Sequence, residues 1–186
     1  MQRCLGSAIV PMRTADKTGH RLSDHFICSI CGERHEGLVT DWAYSLPDVV
    51  WEIPETERAE RARFTNDLCQ FGERYFIRCV LGVPLNDSDG EFGWGAWSEV
   101  EWPVFERYLK MYEEDGTAEP VHPGTLANRL PAYEASLGKS VLIQFRDPTK
   151  RPSLCLPKDD ESQLANEQRN GIDNARHHEI IDIIHR

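Results

Sequence analysis

The stretch RYFIRCVLGVPLNDSDGEFGWGAWSEV, residues 74–100, decides the fold of this chain. Its first part, Arg74 to Leu85, is rich in aromatic and β-branched residues, which favour a strand. A proline and an Asn-Asp-Ser-Asp-Gly segment then break the run, as expected for a turn, and Glu91 to Val100 predicts a second strand. The two strands together predict an antiparallel hairpin with a long loop.

Helices and further strands are predicted on both sides of this hairpin. Residues 101–114 place Val104, Tyr108, Met111 and Tyr112 at helical spacing, so an amphipathic helix covers one face of the sheet. Short strands are expected at 139–146 and 153–156, an irregular segment at 42–47, and helices at 55–62, 161–168 and 173–185. The expected fold is therefore α+β, a mainly antiparallel sheet covered by helices.

The domain organisation follows from where this pattern begins. Residues 1–24 show little periodicity and predict a flexible N-terminal extension, whereas residues 25–186 predict a single domain. A length of 186 residues with 40% hydrophobic content suits one substantial core.

Charge and hydropathy exclude two classes of partner. The net charge of -10 would repel the phosphates that supply most nucleic-acid affinity, so nucleic acid is not expected as a partner. No apolar run approaches the roughly 20 residues that a membrane span needs, so no membrane partner is expected. The apolar run from Leu5 to Met12 is too short for a signal peptide, and the six unevenly spaced cysteines suit a reduced compartment. The expected location is the cytoplasm.

The segment FICSICGERHEG, residues 26–37, is the most specific chemical motif. Cys28 and Cys31 have the C-x2-C spacing that two thiolates need to share one tetrahedral zinc ion, and His35 can supply a third ligand. Cys69 is the first choice for the fourth ligand, ahead of Cys79, His20 and His25. The prediction is a zinc-knuckle-like loop with structural zinc. A dithiol redox pair and plain structural cysteines remain alternatives.

A catalytic zinc would instead leave one coordination position open for water and would need a general base nearby. Glu33, Glu36 and Asp67 are candidates for that base, although a solvated loop face is the ordinary role of such carboxylates.

Indoles concentrate in the second strand of the hairpin. Trp94 and Trp97 point to opposite faces of a strand, so one is expected in the core. The other could line a pocket or a partner surface, but core packing is the favoured role.

The chain resembles the uncharacterised bacterial family known as domain of unknown function 2199. The resemblance rests on FICSICGERHEGL (26–38), Arg58 and Arg61, NDLC (66–69), RYFIRCVLGVPL (74–85), FGWGAWSEV (92–100), NRLPAYEASLG (128–138), RPSLCL (151–156) and LANEQRNGI (164–172). It implies that Cys28, Cys31, His35 and Cys69 form one group, and it implies no known activity. This chain has Ser162 and Gln163 where the family has a His-Pro pair, so no role of that histidine carries over.

Three functions are consistent with these observations. The leading one is a zinc-stabilised binding or regulatory module of the bacterial cytoplasm, with a surface near Trp94 or Trp97 that meets another protein. The alternative is a small metal-dependent, hydrolase-like enzyme that uses Cys28, Cys31 and His35, with an acid such as Glu36 as base. The third is an immunity-like partner of a basic protein, which would suit the acidic composition.

Overall fold

The computed structural model describes residues 25–27, 34–36 and 39–185, with backbone alone for the first two ranges. The expected extension 1–24, Cys28 and Cys31 lie outside the described residues. The strands are β1 (His25–Ile27), β2 (Arg34–Glu36), β3 (Asp41–Ala43), β4 (Ala62–Phe64), β5 (Leu68–Phe71), β6 (Arg74–Pro84), β7 (Glu91–Val100), β8 (His122–Leu126), β9 (Ser140–Gln144) and β10 (Ser153–Cys155). The helices are α1 (Asp48–Trp51), α2 (Glu55–Arg61), α3 (Trp102–Lys110), α4 (Gln163–Asn170) and α5 (Asn174–Ile184).

The hairpin of β6 and β7 is the centre of the fold, as the sequence predicts. Its antiparallel register runs from Tyr75 opposite Val100 to Pro84 opposite Glu91. From β7 the sheet continues through β8 and β9 to β10, and β10 returns to β6 through a parallel pairing of Ser153 with Val80. The sheet therefore closes into a five-stranded barrel. The sequence predicts a mainly antiparallel sheet but does not indicate that it closes.

Three short strands extend the sheet beyond the barrel. β3 lies parallel to β7, where Trp42 is opposite Trp94. β5 pairs with the first half of β6, and β4 pairs with β5. Since β6 is 11 residues long, its one edge can hold β5 near Arg74 and β10 near Val80. The long strand thus joins the barrel to a small outer sheet.

The two faces of the hairpin are buried in two separate hydrophobic clusters. One cluster contains Trp94 and joins the barrel strands to α3, α4 and α5. The other contains Trp97 and Cys69 and is covered by residues of α1 and the adjoining segments, including Val50 and Ile53. Both indoles are 0% exposed. The prediction of opposite faces is confirmed, and so is core packing, the favoured role of these indoles. The alternative of an indole on an open surface is wrong, because a second layer covers the outer face.

The helix boundaries follow local capping rules. Ser162 accepts a hydrogen bond from the backbone of Ala165 at the start of α4, and Asp173 accepts one from Arg176 at the start of α5. Gly171, with φ of 76°, ends α4 in a conformation that side chains disfavour.

Within residues 39–185, none of the helices combines the length and the apolar character that crossing a membrane requires.

Candidate functional site

A pocket of about 470 Å³ opens beside the C-terminal end of α3. Four separate parts of the chain form it: the turn at Asp67 between β4 and β5, Val80 of β6, the end of α3, and the loop between β9 and β10. The lining residues are Asp67, Val80, Tyr108, Met111, Tyr112, Phe145, Arg146, Asp147, Pro148, Thr149, Lys150 and Arg151.

The loop between β9 and β10 is held at both ends by the backbone. Gly116 donates its N–H to the carbonyl of Arg146 at 3.0 Å, and Val80 donates to the carbonyl of Pro152 at 2.8 Å. A Cβ atom at position 116 would lie 2.6 Å from Cβ of Phe145, so glycine permits this close approach. Inside the loop, Thr149 donates to the Asp147 carboxylate. These contacts fix the backbone that carries the cationic side chains of the pocket.

Asp67 is one of the two carboxylates that line the pocket. Its Oδ1 accepts from Nε of Arg151 at 2.6 Å, and its Oδ2 accepts from the hydroxyl of Tyr112 at 3.1 Å. Its backbone is held as well, because its N–H donates to Oγ1 of Thr65 and its carbonyl accepts from the N–H of Arg78. The turn, the end of α3 and the β9–β10 loop therefore meet at one side chain.

Arg78 lies behind this ion pair and is incompletely paired. One terminal nitrogen donates to the carbonyl of Asn66 at 3.2 Å, while Nε is buried without a hydrogen-bond partner among the described residues. Burial lowers the pKa of Arg78, and the nearby guanidinium of Arg151 lowers it further, whereas Asp67 raises it. The guanidinium groups of Arg78 and Arg151 therefore both lie close to the carboxylate of Asp67.

The pocket and its wall carry an excess of positive charge. Of the lining residues, Arg146, Lys150 and Arg151 are cations, and Asp67 and Asp147 are carboxylates. Lys150 pairs with Asp147 at 3.2 Å, but Arg146 forms no ion pair within the part of the chain that the structure describes. The lining therefore has one more cation than carboxylate, which is unusual in a chain whose net charge is -10.

The remaining wall is aromatic. The ring of Tyr108 lies 5.0 Å from that of Phe145 and 5.8 Å from that of Tyr112, measured between centroids. Burial and then nearby groups, Asp67 among them, raise the pKa of both tyrosines, so their hydroxyl groups stay protonated at neutral pH. The wall can contact a flat apolar group and also offer hydrogen-bond donors.

Most of the predicted metal group lies outside the residues that the structure describes. Cys28 and Cys31 are outside the described residues, and His35 is described only as backbone in β2, opposite Phe26. Cys69 is a free thiol in the cluster that contains Trp97, and burial raises its pKa to about 11, which favours the thiol over the thiolate that zinc binds. Among the described residues, no group of three or more His, Cys, Asp or Glu side chains could hold a metal ion. The zinc site stays a prediction.

Sequence reasoning named Asp67 as a base for a catalytic zinc and did not single out the cations around it. The segment RDPTKR, residues 146–151, could have indicated these cations, since it places three of them within six residues of an acidic chain. Other residues behind the family resemblance serve the fold. Asn128, for example, is completely buried and bonds the backbone of both Trp97 and Leu46.

These features define an α+β protein built on a five-stranded barrel, with a basic, aromatic pocket at its side. The chain belongs to the family described as uncharacterised proteins conserved in bacteria, domain of unknown function 2199, whose family model matches residues 27–172. Comparison with curated proteins and with solved structures gave no match.

Proposed function

We propose that this protein is a binding module that takes a small anionic molecule into the pocket beside α3. The observation that carries the proposal is the set of three cations, Arg146, Lys150 and Arg151, that line the pocket together with only two carboxylates. The proposal keeps the binding role that the sequence favours and places it at the pocket instead of at the indoles.

The chemistry of the cations supports an anion in particular. A buried guanidinium nitrogen without an acceptor costs free energy, and Nε of Arg78 is such an atom. Carboxylate and phosphate groups match the planar donor fork of arginine and would add acceptors beside Arg151 and Arg146. Burial is the main cause of the lowered pKa of Arg78 and repulsion from Arg151 is the second, and an anion bound at Arg151 would offset that repulsion.

The size and the aromatic wall support a compact ligand. A volume of about 470 Å³ lies within the range of small-molecule pockets, which is roughly 300–1,000 Å³. Tyr108, Tyr112 and Phe145 offer contact surface for an apolar or planar part of that ligand. An aryl carboxylate or an aryl phosphate has both features.

The other functions have less support from the geometry. Trp94 and Trp97 are fully buried, so a protein-binding surface cannot present either indole in this conformation. Asp67, the candidate base whose side chain is among those described, is engaged by Arg151 and Tyr112. No contact of the described residues favours the hydrolase or the immunity-like role.

Titration calorimetry on the full chain tests the proposal, with phenyl phosphate and benzoate as probes and benzamide as their neutral counterpart. We expect saturable binding of the anions, weakened by added salt, and little binding of benzamide. Amide resonances of residues 146–151, apart from Pro148, should shift in a parallel NMR titration. Absence of saturable binding, or equal affinity for benzamide, would overturn the proposal.

Two arginine variants locate the binding. Arg151→Gln removes a donor that lines the pocket, and we expect its affinity for phenyl phosphate to fall about tenfold or more, as for loss of a charge-assisted hydrogen bond. Arg74→Gln is the matched control, because Arg74 forms a comparable ion pair with Glu99 away from the pocket. Equal losses in both variants would show that net charge, and not the pocket, governs binding.

A further inference from the structure

We infer that Asp67 is an internal occupant of the anion site and that its side chain leaves Arg151 when an external anion binds. This inference rests on the proposed function, since it describes how access to the same pocket is controlled. Asp67 would then set the affinity of the site by competing with the ligand.

The donors that Asp67 engages are the donors that an anionic ligand needs. Nε of Arg151 lies 2.6 Å from one carboxylate oxygen, and the hydroxyl of Tyr112 lies 3.1 Å from the other. Both donor residues line the pocket together with Asp67. A ligand carboxylate or phosphate in contact with Arg151 and Tyr112 would take the place of the Asp67 carboxylate.

The backbone at Asp67 is fixed, so the exchange needs only a side-chain rotation. Thr65 Oγ1 accepts from the N–H groups of Asp67 and Leu68 at 3.2 and 3.1 Å. The carbonyl of Asp67 accepts from the N–H of Arg78 at 2.9 Å. The Asp67 side chain is 22% exposed, so it borders solvent and can be hydrated after leaving Arg151.

The charges also favour exchange over simultaneous occupancy. With Asp67 in place, an anion that approaches Arg151 also meets the carboxylate that is already bonded to it. Two anions at hydrogen-bond distance from the same guanidinium repel each other, and this repulsion falls when one of them moves into water. A ligand with two negative charges gains more from the exchange than a ligand with one.

The alternative role for Asp67 is to position Arg151 for the ligand, and the two roles predict opposite effects of one substitution. Asp67→Asn keeps the shape and an acceptor oxygen but removes the competing charge. If Asp67 competes, this variant binds phenyl phosphate more tightly than the wild type. If Asp67 positions Arg151, it binds more weakly.

The test is calorimetry with phenyl phosphate on the full-length wild type, Asp67→Asn and Glu99→Gln. Glu99→Gln is the matched control, because it removes one negative charge and breaks the pair with Arg74 outside the pocket. We expect about tenfold tighter binding for Asp67→Asn and a change within about twofold for Glu99→Gln. The gain should be smaller for benzoate, which carries a single charge.

The possible results separate the two proposals. Weaker binding by Asp67→Asn, or equal gains in Asp67→Asn and Glu99→Gln, would overturn the role of Asp67 while the anion pocket stands. No binding by either the wild type or Asp67→Asn would overturn the pocket itself. Thermal unfolding of each variant, followed by circular dichroism, shows whether it is folded at the temperature of the titration.

Discussion

Nε of Arg151 donates to Oδ1 of Asp67 at 2.6 Å, although the two residues are 84 positions apart in the chain. Both side chains are partly exposed, so we expect a coupling free energy of about 0.5–1 kcal/mol, as for a surface ion pair. Urea unfolding of Asp67→Asn, Arg151→Gln and the double variant measures it. The coupling should shrink in 1 M salt, because the Debye length there is roughly 3 Å. A salt-independent coupling of several kcal/mol would show that the pair is effectively buried.

Asn128 joins three parts of the fold, and its removal should be costly. Its Oδ1 accepts from the N–H of Trp97 at 2.8 Å, and its Nδ2 donates to the carbonyl of Leu46 and to Oδ1 of Asp48. Asn128→Ala would leave buried backbone groups without partners. We expect a loss of about 2–4 kcal/mol in the free energy of unfolding.

The exposed Asn166 of α4 provides the control for Asn128, since its side chain bonds only surface groups such as Arg169. Asn166→Ala should change the free energy of unfolding by less than about 1 kcal/mol in the same urea titrations. Similar losses in the two alanine variants would show that the Asn128 network is not important for stability.

Tyr133 connects the loop after β8 to α4. Its hydroxyl donates to Oε2 of Glu167 at 2.5 Å, and Oε1 of Glu167 accepts from Arg176 at 2.8 Å. Because Tyr133 is buried and its acceptor is charged, we expect Tyr133→Phe to lose about 1.5–3 kcal/mol of stability. Tyr112→Phe removes an exposed hydroxyl contact and should lose less. Thermal and urea unfolding of both variants measures the two losses. A Tyr112→Phe variant that is less stable than Tyr133→Phe would contradict the prediction.

The length of the strands decided how much of the fold the sequence could predict. β6 and β7 are 11 and 10 residues long, so their composition and the turn between them are informative, and both were predicted. β3, β4 and β5 have three or four residues, too few to show a period, and were not predicted. β8 was missed because its sequence, HPGTL, contains a proline and a glycine. Its place in the sheet comes from pairing with β9 and β7.

The pocket could not be predicted because its parts converge only in the folded chain. Asp67, Tyr112 and Arg151 come from three segments, each of which alone is typical of a turn or a helix end. Barrel closure, through the parallel pairing of β10 with β6, brings Arg151 beside Asp67 and has no local sequence pattern. The burial of Trp97 likewise depends on α1 and the segments beside it, which lie far from it in sequence.

His177 should make the stability depend on pH below neutrality. Burial lowers its pKa below the ordinary value of 6.5, and His178 lowers it further, although the bond to the carbonyl of Val39 raises it. The unfolded chain therefore binds more protons than the folded chain as the pH falls through 6.5, so stability falls with it. His177→Gln should show a shallower decline between pH 7 and pH 5 in urea unfolding. An unchanged slope would exclude His177 as a source of the decline.

The predicted zinc group can be tested by substitution of the two buried free cysteines, Cys69 and Cys79. The sequence predicts near-stoichiometric zinc in the purified chain, and Cys28→Ser should lose it. Cys69 and Cys79 are both free and buried, and burial raises the pKa of each, so alanine at either position removes a similar thiol.

If Cys69 is the fourth ligand, it must leave the cluster around Trp97 as a thiolate, and Cys69→Ala should lose zinc that Cys79→Ala retains. Elemental mass spectrometry on the folded variants measures this difference directly. Equal zinc in the two alanine variants would remove Cys69 from the group and leave it as a core residue. A wild-type chain that folds without metal would overturn the zinc prediction as a whole.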